Sequence, residues 1–88
     1  MTDSRQQISD TLKEFILREF LPGEPAENLD DSTPLIAGAI VDSIGIMKLV
    51  LFIDEKYGVE VEPHEMGEEF LGTIADIVKT VSARISQQ

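Results

Sequence analysis

The sequence predicts an all-α domain, a four-helix bundle with a long first loop and a short third helix. Apolar residues recur at helical spacing in three stretches, near residues 4–19, 43–57 and 74–85. Turn-forming residues interrupt this pattern between 21 and 41, and again between 58 and 73. A chain of 88 residues has room for one domain, which we place at 1–88, and too little for a deep enclosed active site.

Composition and charge narrow the classes of function. A hydrophobic content of 42% indicates a folded chain despite a net charge of −10. An acidic domain repels nucleic acid and anionic membranes, and it attracts basic protein surfaces. The chain has no cysteine, which excludes a disulfide framework and a thiolate metal site. Without a signal-like or membrane-spanning apolar run, we expect a cytoplasmic monomer that binds or carries.

The first helix is predicted to run from about Ser4 to Glu19, with Thr2, Asp3 or Ser4 as its cap. It ends at Leu21-Pro22-Gly23, because proline removes a donor and biases the preceding residue away from helical angles. Its apolar face comprises Ile8, Leu12, Phe15 and Ile16.

The segment from there to Val41 shows turn chemistry and no sustained period, which predicts a long loop. Asp30 and Asp31 suggest a metal site at first sight, but the ligand pattern of a calcium loop is missing. We interpret the two aspartates as a solvated turn. The residues expected to hold the loop against the core are Leu29, Leu35, Ile36, Ile40 and Val41.

The second helix is predicted to begin after Asp42, whose short side chain is a good N-cap, and to end at Gly58. Ser43 then occupies the first helical position with its hydroxyl facing water. At about 100° per residue, one apolar stripe forms the core face, with Ile46, Leu49, Val50, Ile53 and Tyr57. A second stripe consists of Ile44, Met47 and Leu51, flanked by Asp54 and Glu55. Periodicity leaves two alternatives open: the second stripe is a partly exposed partner surface, or both stripes are core.

The rest of the chain completes the bundle. Residues 59–63 read as an extended connector, too short and too limited by proline to pair in a sheet. Residues 64–71 are predicted to hold a short third helix anchored by Met66, Phe70 and Leu71. Thr73 and Asp76 resemble a capping box at the start of the last helix. That helix runs to about Ile85, and its apolar face comprises Ile74, Ile77, Val78, Val81 and Ile85.

Ser43 is the candidate functional residue, and two chemistries were compared for it. A nucleophilic serine needs a base, but the only histidine is His64, about twenty residues downstream, and no G-x-S-x-G pattern is present. His64 is therefore interpreted as an exposed surface residue. A helix N-terminus carries partial positive charge and unpaired N–H donors, which favour a phosphate esterified to the serine.

The residues around Ser43 resemble the acyl carrier protein family, which includes peptidyl and aminoacyl carriers. The similarity spans nearly the whole chain and rests on Asp31-Ser32-Thr33-Pro34-Leu35-Ile36, Asp42-Ser43-Ile44, Leu49-Val50, Tyr57-Gly58-Val59 and Thr73-Ile74. The resemblance implies an acyl-carrier-protein-like four-helix bundle in which Ser43 carries covalent 4′-phosphopantetheine from coenzyme A. It implies that Asp42 is part of the recognised motif, and it implies no catalytic residue and no resident metal.

The resemblance also implies the partners. A phosphopantetheinyl transferase, working with magnesium, would modify the serine, and an acyl- or aminoacyl-loading ligase would charge the arm. Synthase or transferase enzymes with basic docking patches would contact the stripe formed by Ile44, Met47 and Leu51. Their basic residues would meet Asp54 and Glu55 at the edge of that stripe. The cargo would belong to fatty acid, polyketide or related biosynthesis. The alternatives are an aminoacyl or peptidyl carrier of a nonribosomal-peptide-type pathway and an unmodified acidic helical adaptor.

Some positions depart from the family's usual pattern. Ala39 stands where a glycine is common, three residues before the aspartate, and Gly38 is adjacent, so we expect a shifted turn before Asp42. Gly45 and Lys48 occupy positions that are often acidic in fatty-acid carriers. Gly45 is expected to weaken the helix start by up to ~1 kcal/mol relative to alanine. These departures favour a stand-alone carrier dedicated to a ligase or synthase pathway.

Overall fold

A computed structural model of the chain describes residues 4–86, and it forms four α-helices joined by loops and two 3-10 turns. No strand forms within that range, so the all-α prediction is confirmed. Helices α1 and α3 both pack against α4. The bounds are α1 Arg5–Phe20, α2 Ser43–Tyr57, α3 Glu68–Leu71 and α4 Ile74–Ser86, with 3-10 turns at Ala26–Asn28 and Pro63–Glu65.

Helix α1 begins at a reciprocal cap. The Ser4 hydroxyl accepts from the Gln7 backbone N–H at 3.1 Å, and the Gln7 side chain accepts from the Ser4 N–H at 2.8 Å. This pair satisfies two of the donors that a helix start leaves unpaired. Ser4 is thus the cap; Thr2 and Asp3, the alternatives, lie outside the described residues. The helix extends one residue beyond the predicted Glu19.

The described residues share one apolar core. It contains the predicted face of α1, the predicted face of α4 except Ile85, and the middle of α2, where Leu49 and Ile53 are fully buried. Ile85 is partly buried against this core. Ile46, Val50 and Tyr57 pack against this core but remain partly exposed. The helical periodicity therefore identified the buried face of each long helix.

The long first loop is held to the rest of the fold at several points. Leu29, Leu35 and Val41 are buried, as predicted, while Ile36 and Ile40 pack against the core from its edge. The loop backbone also bonds to the region around the start of α4. The bonds join the Leu35 N–H to the Gly72 carbonyl at 2.8 Å and the Ala75 N–H to the Asp31 carbonyl at 3.0 Å.

Asp31 is not only part of a solvated turn, as predicted, but also contacts helix α1. Its carboxylate accepts from the Ser9 hydroxyl at 3.0 Å and lies 2.9 Å from the Lys13 ammonium, so it connects the loop to α1. The bonds from Lys13, and then from Ser9, hold the pKa of Asp31 below its ordinary value. Asp30 instead organises its own turn by accepting from Ser32. No group of acidic, histidine or cysteine side chains among residues 4–86 could hold a metal ion.

The turn that leads into α2 has its left-handed residue at Ala39 and not at Gly38, so the structure gives no support to a turn shifted onto Gly38. Ala39 itself adopts the left-handed conformation, with φ of 59°, that glycine adopts without strain. Gly38 has a separate role: a Cβ there would clash with the Pro34 carbonyl oxygen. The Ile40 and Val41 N–H groups then close the turn on the Leu35 carbonyl, at 2.9 and 3.0 Å.

Replacing Ala39 with glycine is expected to stabilise the fold. The change removes a left-handed penalty of about 1–2 kcal/mol, and it adds about 0.5–1 kcal/mol of chain entropy to the unfolded state. The net expectation is a free energy of unfolding higher by up to ~1 kcal/mol, measured by urea denaturation. Ala37→Gly is the control, since Ala37 is exposed in the same turn without a positive φ. If A39G and A37G destabilise the protein equally, Ala39 does not carry a left-handed conformational penalty.

The connector and third helix differ from the prediction in two ways. Val59 and Val61 are buried core residues, although the connector was predicted only as an extended link. The predicted helix over 64–71 is divided: Pro63–Glu65 forms a 3-10 turn, and α3 begins only at Glu68. Gly67 separates them because its backbone is extended, with φ of −100° and ψ of −177°. Of the predicted anchors, Leu71 is buried, whereas Met66 and Phe70 are half-buried.

An ion pair joins this region to α4. The Arg84 guanidinium lies 2.6 Å from the carboxylate of the buried Glu65, and it also donates to the Glu60 carbonyl at 2.9 Å. The Glu62 backbone N–H, and then Arg84, hold the pKa of Glu65 below its ordinary value. At the other end of α4, the Thr73 hydroxyl accepts from the Asp76 N–H at 3.1 Å, which confirms the Thr73 half of the predicted capping box. Within the described residues, the Asp76 side chain makes no return bond to the Thr73 N–H.

Candidate functional site

The candidate site begins at the first turn of α2. Asp42 has extended backbone angles, and its carboxylate accepts from the Gly45 N–H at 2.7 Å. The Asp42 carbonyl accepts from the Ile46 N–H at 2.8 Å, which starts the ladder of helical hydrogen bonds. Asp42 is therefore the N-cap, as predicted, and Ser43 is the first residue of the helix.

Ser43 is exposed, and its hydroxyl forms no hydrogen bond with any residue from 4 to 86. The cap occupies the Gly45 donor, which leaves the backbone N–H groups of Ser43 and Ile44 without partners in the described part of the chain. These donors lie at the positive end of the helix dipole. A phosphate on the Ser43 oxygen would thus meet a partial positive charge and two adjacent donors.

Gly45, in the first turn of α2 next to Ser43, allows a close contact between the helix backbone and the Phe20 ring. A Cβ at this position would lie 2.6 Å from Cε1 of Phe20 and 3.1 Å from Cγ1 of Val41. The Phe20 ring, at the end of α1, therefore packs directly against the backbone of the first turn of α2. Phe20 in turn meets the edge of Phe15, with ring centroids 6.0 Å apart. This contact joins α1 to the turn that carries Ser43, and the sequence alone gave no signal of it.

The second apolar stripe of α2 is exposed, which excludes the alternative that both stripes are core. The exposed fractions are 70% for Ile44, 52% for Met47 and 57% for Leu51. These three residues, which we term the apolar face, are the large hydrophobic side chains that remain exposed within residues 4–86. The face follows directly from Ser43 along the helix. Apolar side chains grouped in this way are typical of an interaction surface.

Charged side chains surround the apolar face. Asp54 and Glu55 are exposed near the C-terminal end of α2, as predicted. Lys48 is exposed among the residues of the face itself. None of the three forms an ion pair with another residue of the described range. The site thus combines a hydroxyl, an apolar face and charges of both signs on one helix.

The structure gives no support to a hydrolytic site. The His64 side chain is exposed, and its ring lies against Phe70, with centroids 6.3 Å apart. No base is bonded to the Ser43 hydroxyl within the described residues, whereas an activated nucleophile needs one. In the described residues, no helix is long and apolar enough to cross a membrane.

Four helices, a long first loop and an exposed serine at the start of α2 define a carrier-type domain. A comparison with protein families supports this class: the model of the phosphopantetheine attachment site family matches residues 10–81 of the 88. The chain therefore belongs to the phosphopantetheine attachment site family. A comparison with curated proteins found no match.

Membership of the family carries several consequences. Its defining cofactor is covalently attached 4′-phosphopantetheine. Its domains are carriers without catalytic activity of their own. They work with phosphopantetheinyl transferases and with synthase or ligase enzymes in general. The resemblance to acyl and peptidyl carrier proteins is thereby confirmed at the level of the family.

Proposed function

We propose that this chain is a single-domain carrier that holds acyl or aminoacyl intermediates on 4′-phosphopantetheine attached to Ser43. The observation that carries the proposal is the exposed Ser43 hydroxyl at the capped N-terminus of α2, in a chain that belongs to the phosphopantetheine family. When attached, the group supplies a thiol that forms thioesters, and the polypeptide has no cysteine of its own. The chain itself performs no catalytic step.

The residues around Ser43 suit the attached phosphate. The N–H groups of Ser43 and Ile44 favour its negative charge, as does the helix dipole. The Asp42 carboxylate accepts a hydrogen bond from the Gly45 N–H. This bond holds the carboxylate at the helix cap, so it is not turned toward the Ser43 oxygen. Asp42 thus fixes the start of the helix, and through it the direction in which the Ser43 hydroxyl is presented to the transferase.

The apolar face supports docking of the enzymes that load and use the arm. Ile44, Met47 and Leu51 are exposed next to the attachment site, so an enzyme that covers them also receives the arm. Asp54 and Glu55 would meet basic side chains of such an enzyme. The partners are a phosphopantetheinyl transferase, an acyl- or aminoacyl-loading ligase, and synthase or transferase enzymes.

The class of cargo defines two versions of this function. One version serves fatty acid, polyketide or related biosynthesis with acyl groups, and the other serves a nonribosomal-peptide-type pathway with aminoacyl or peptidyl groups. Mass spectrometry of the modified protein isolated from its native cell distinguishes them, because it weighs the group on the thiol.

Modification of Ser43 is the direct test. Incubating the purified protein with coenzyme A, magnesium and a broad-specificity phosphopantetheinyl transferase is expected to add the mass of one phosphopantetheine. Ser43→Ala is expected to abolish that gain, because alanine has no oxygen to esterify. Intact-protein mass spectrometry measures both results.

Ser32→Ala is the matched control for this test. Ser32 is also an exposed serine, but it lies in the first loop and donates to Asp30. The S32A protein is expected to gain one phosphopantetheine, as the wild type does. No gain by the wild-type protein would favour the alternative of an unmodified acidic adaptor, and a gain retained by S43A would place the attachment elsewhere.

A further inference from the structure

A cation lies on the exposed side of α2, although the chain is strongly acidic. The chain has 7 basic and 17 acidic residues. Lys48 is nevertheless the only charged side chain between Ser43 and Ile53. Beyond the Asp42 cap, the half of α2 nearer to Ser43 therefore carries a single charge, which is positive, and acidic side chains within the helix begin at Asp54.

Lys48 is a neighbour of two residues of the apolar face. It follows Ile44 by four residues and precedes Leu51 by three, and these spacings place side chains next to each other on a helix. Lys48 is exposed and has no ion-pair partner in the described range. An enzyme that covers the apolar face must therefore place some group against the Lys48 ammonium.

Near the apolar face, the charges of opposite sign are separated along α2. The other cation of the helix, Lys56, lines a surface pocket with Thr11 and Arg18 of α1 instead. Asp54 and Glu55 follow Lys48 by six and seven residues, a rise of about 9–10.5 Å along the helix axis at ~1.5 Å per residue. This distance is comparable to the Debye length of about 8 Å at physiological ionic strength, so each end of the face acts on a partner separately. A docked enzyme meets a cation near the attachment serine and anions farther along the helix.

We propose that Lys48 selects enzymes whose docking patch places a carboxylate against it and cations only against Asp54 and Glu55. The proposal rests on the proposed function, because its occupant is an enzyme that acts on Ser43 or on the arm. A uniformly basic patch brings a like charge against Lys48 and is disfavoured, whereas a carboxylate there pairs with it. The effect falls on KM rather than kcat, since Lys48 does not touch the reacting atoms.

The test uses a broad-specificity phosphopantetheinyl transferase with a basic carrier-docking patch as the probe. Each lysine or arginine of that patch is replaced in turn by glutamate, and KM and kcat are measured with the wild-type chain and with Lys48→Glu. For the unaltered transferase, K48E is expected to lower KM by about fivefold, the ratio that ~1 kcal/mol of charge interaction produces. At least one glutamate-substituted transferase is expected to reverse this order, and high salt is expected to weaken both effects.

Lys79→Glu is the matched control, because Lys79 is an exposed lysine on α4 and the change in net charge is the same. Its KM is expected to stay within about twofold of the wild-type value, since Lys79 lies on α4 and not on the helix that carries the apolar face. Equal effects of K48E and K79E would show a response to net charge alone and would overturn the proposal. An unchanged KM in K48E, or a wild-type dimer that K48E dissociates in sedimentation, would overturn it too.

The possible results distinguish failure of the Lys48 proposal from failure of the carrier function. If the wild type, K48E and K79E all gain one phosphopantetheine at saturating transferase but show the same KM, only the role of Lys48 fails. If none of them gains mass, the carrier function itself fails.

Discussion

Replacing Ile53 with alanine is expected to lower the free energy of unfolding by about 2–5 kcal/mol. Ile53 lies in the middle of α2 and is fully buried in the shared core, with 0% exposure. The change deletes buried methyl groups and leaves a cavity that the neighbouring side chains fill only in part. Urea denaturation followed by circular dichroism measures the loss.

Leu51→Ala is the matched control, since Leu51 is two residues away on the same helix but 57% exposed. Its free energy of unfolding is expected to change by no more than about 0.5 kcal/mol. Ile53→Val, which removes a single methyl group, keeps the test decisive if the alanine variant does not fold, with an expected loss of about 0.5–1.5 kcal/mol. Equal losses for I53A and L51A would mean that the apolar face is buried and is not a docking surface.

Replacing Gly45 with alanine is expected to destabilise the protein, although alanine is the better helix former. Helix propensity alone predicts a gain of up to ~1 kcal/mol. The added Cβ would however lie 2.6 Å from the Phe20 ring and 3.1 Å from Cγ1 of Val41, and the Phe20 ring is itself in a T-shaped contact with Phe15. Overpacking of this kind costs about 1–3 kcal/mol, so we expect a net loss of about 1–2 kcal/mol in urea denaturation.

A double-mutant cycle with Phe20→Leu tests the cause. The leucine side chain lacks the ring atoms that a Cβ at position 45 would meet, so G45A should cost less in the F20L protein than in the wild type. The expected coupling free energy is about 1 kcal/mol or more. If G45A stabilises the wild-type protein, helix propensity outweighs the contact and Phe20 does not restrict position 45.

The sequence predicted the features that short-range chemistry determines. Ser4 and Asp42 carry side chains that suit helix caps, and both cap helices in the structure. Gly58 was predicted to end α2, and it adopts the left-handed conformation there, with φ of 67°. Turn residues and helical periodicity thus located the long helices to within about a residue or two.

Features that depend on distant residues were not predicted. The bond from Ser9 to Asp31 spans 22 residues and the pair of Arg84 with Glu65 spans 19, so no local pattern could indicate either contact. The packing of Phe20 on Gly45 is of the same kind. Exposure of the apolar face stayed open for a similar reason, because periodicity identifies an apolar stripe but not whether another element covers it.

The burial of Val59 and Val61 did have a signal in the sequence. Valine and glutamate alternate over residues 59–62, which is the pattern of an extended segment with one buried side. The segment is short and meets Pro63, which argues against a sheet partner, and residues 59–62 form no strand. A single extended segment can still bury alternate side chains against helices, as Val59 and Val61 do.

The hydrogen bonds between the first loop and the region around the start of α4 bear on the order in which this protein is completed during translation. Gly72 accepts from the Leu35 N–H, and the Ala75 N–H donates to Asp31, yet both residues leave the ribosome after Ser43. While they are still inside the exit tunnel, the segment leading to the serine lacks these two anchors. A nascent chain therefore displays its hydroxyl on an unfinished surface until both residues have emerged from the tunnel, and only then does a transferase meet the finished one.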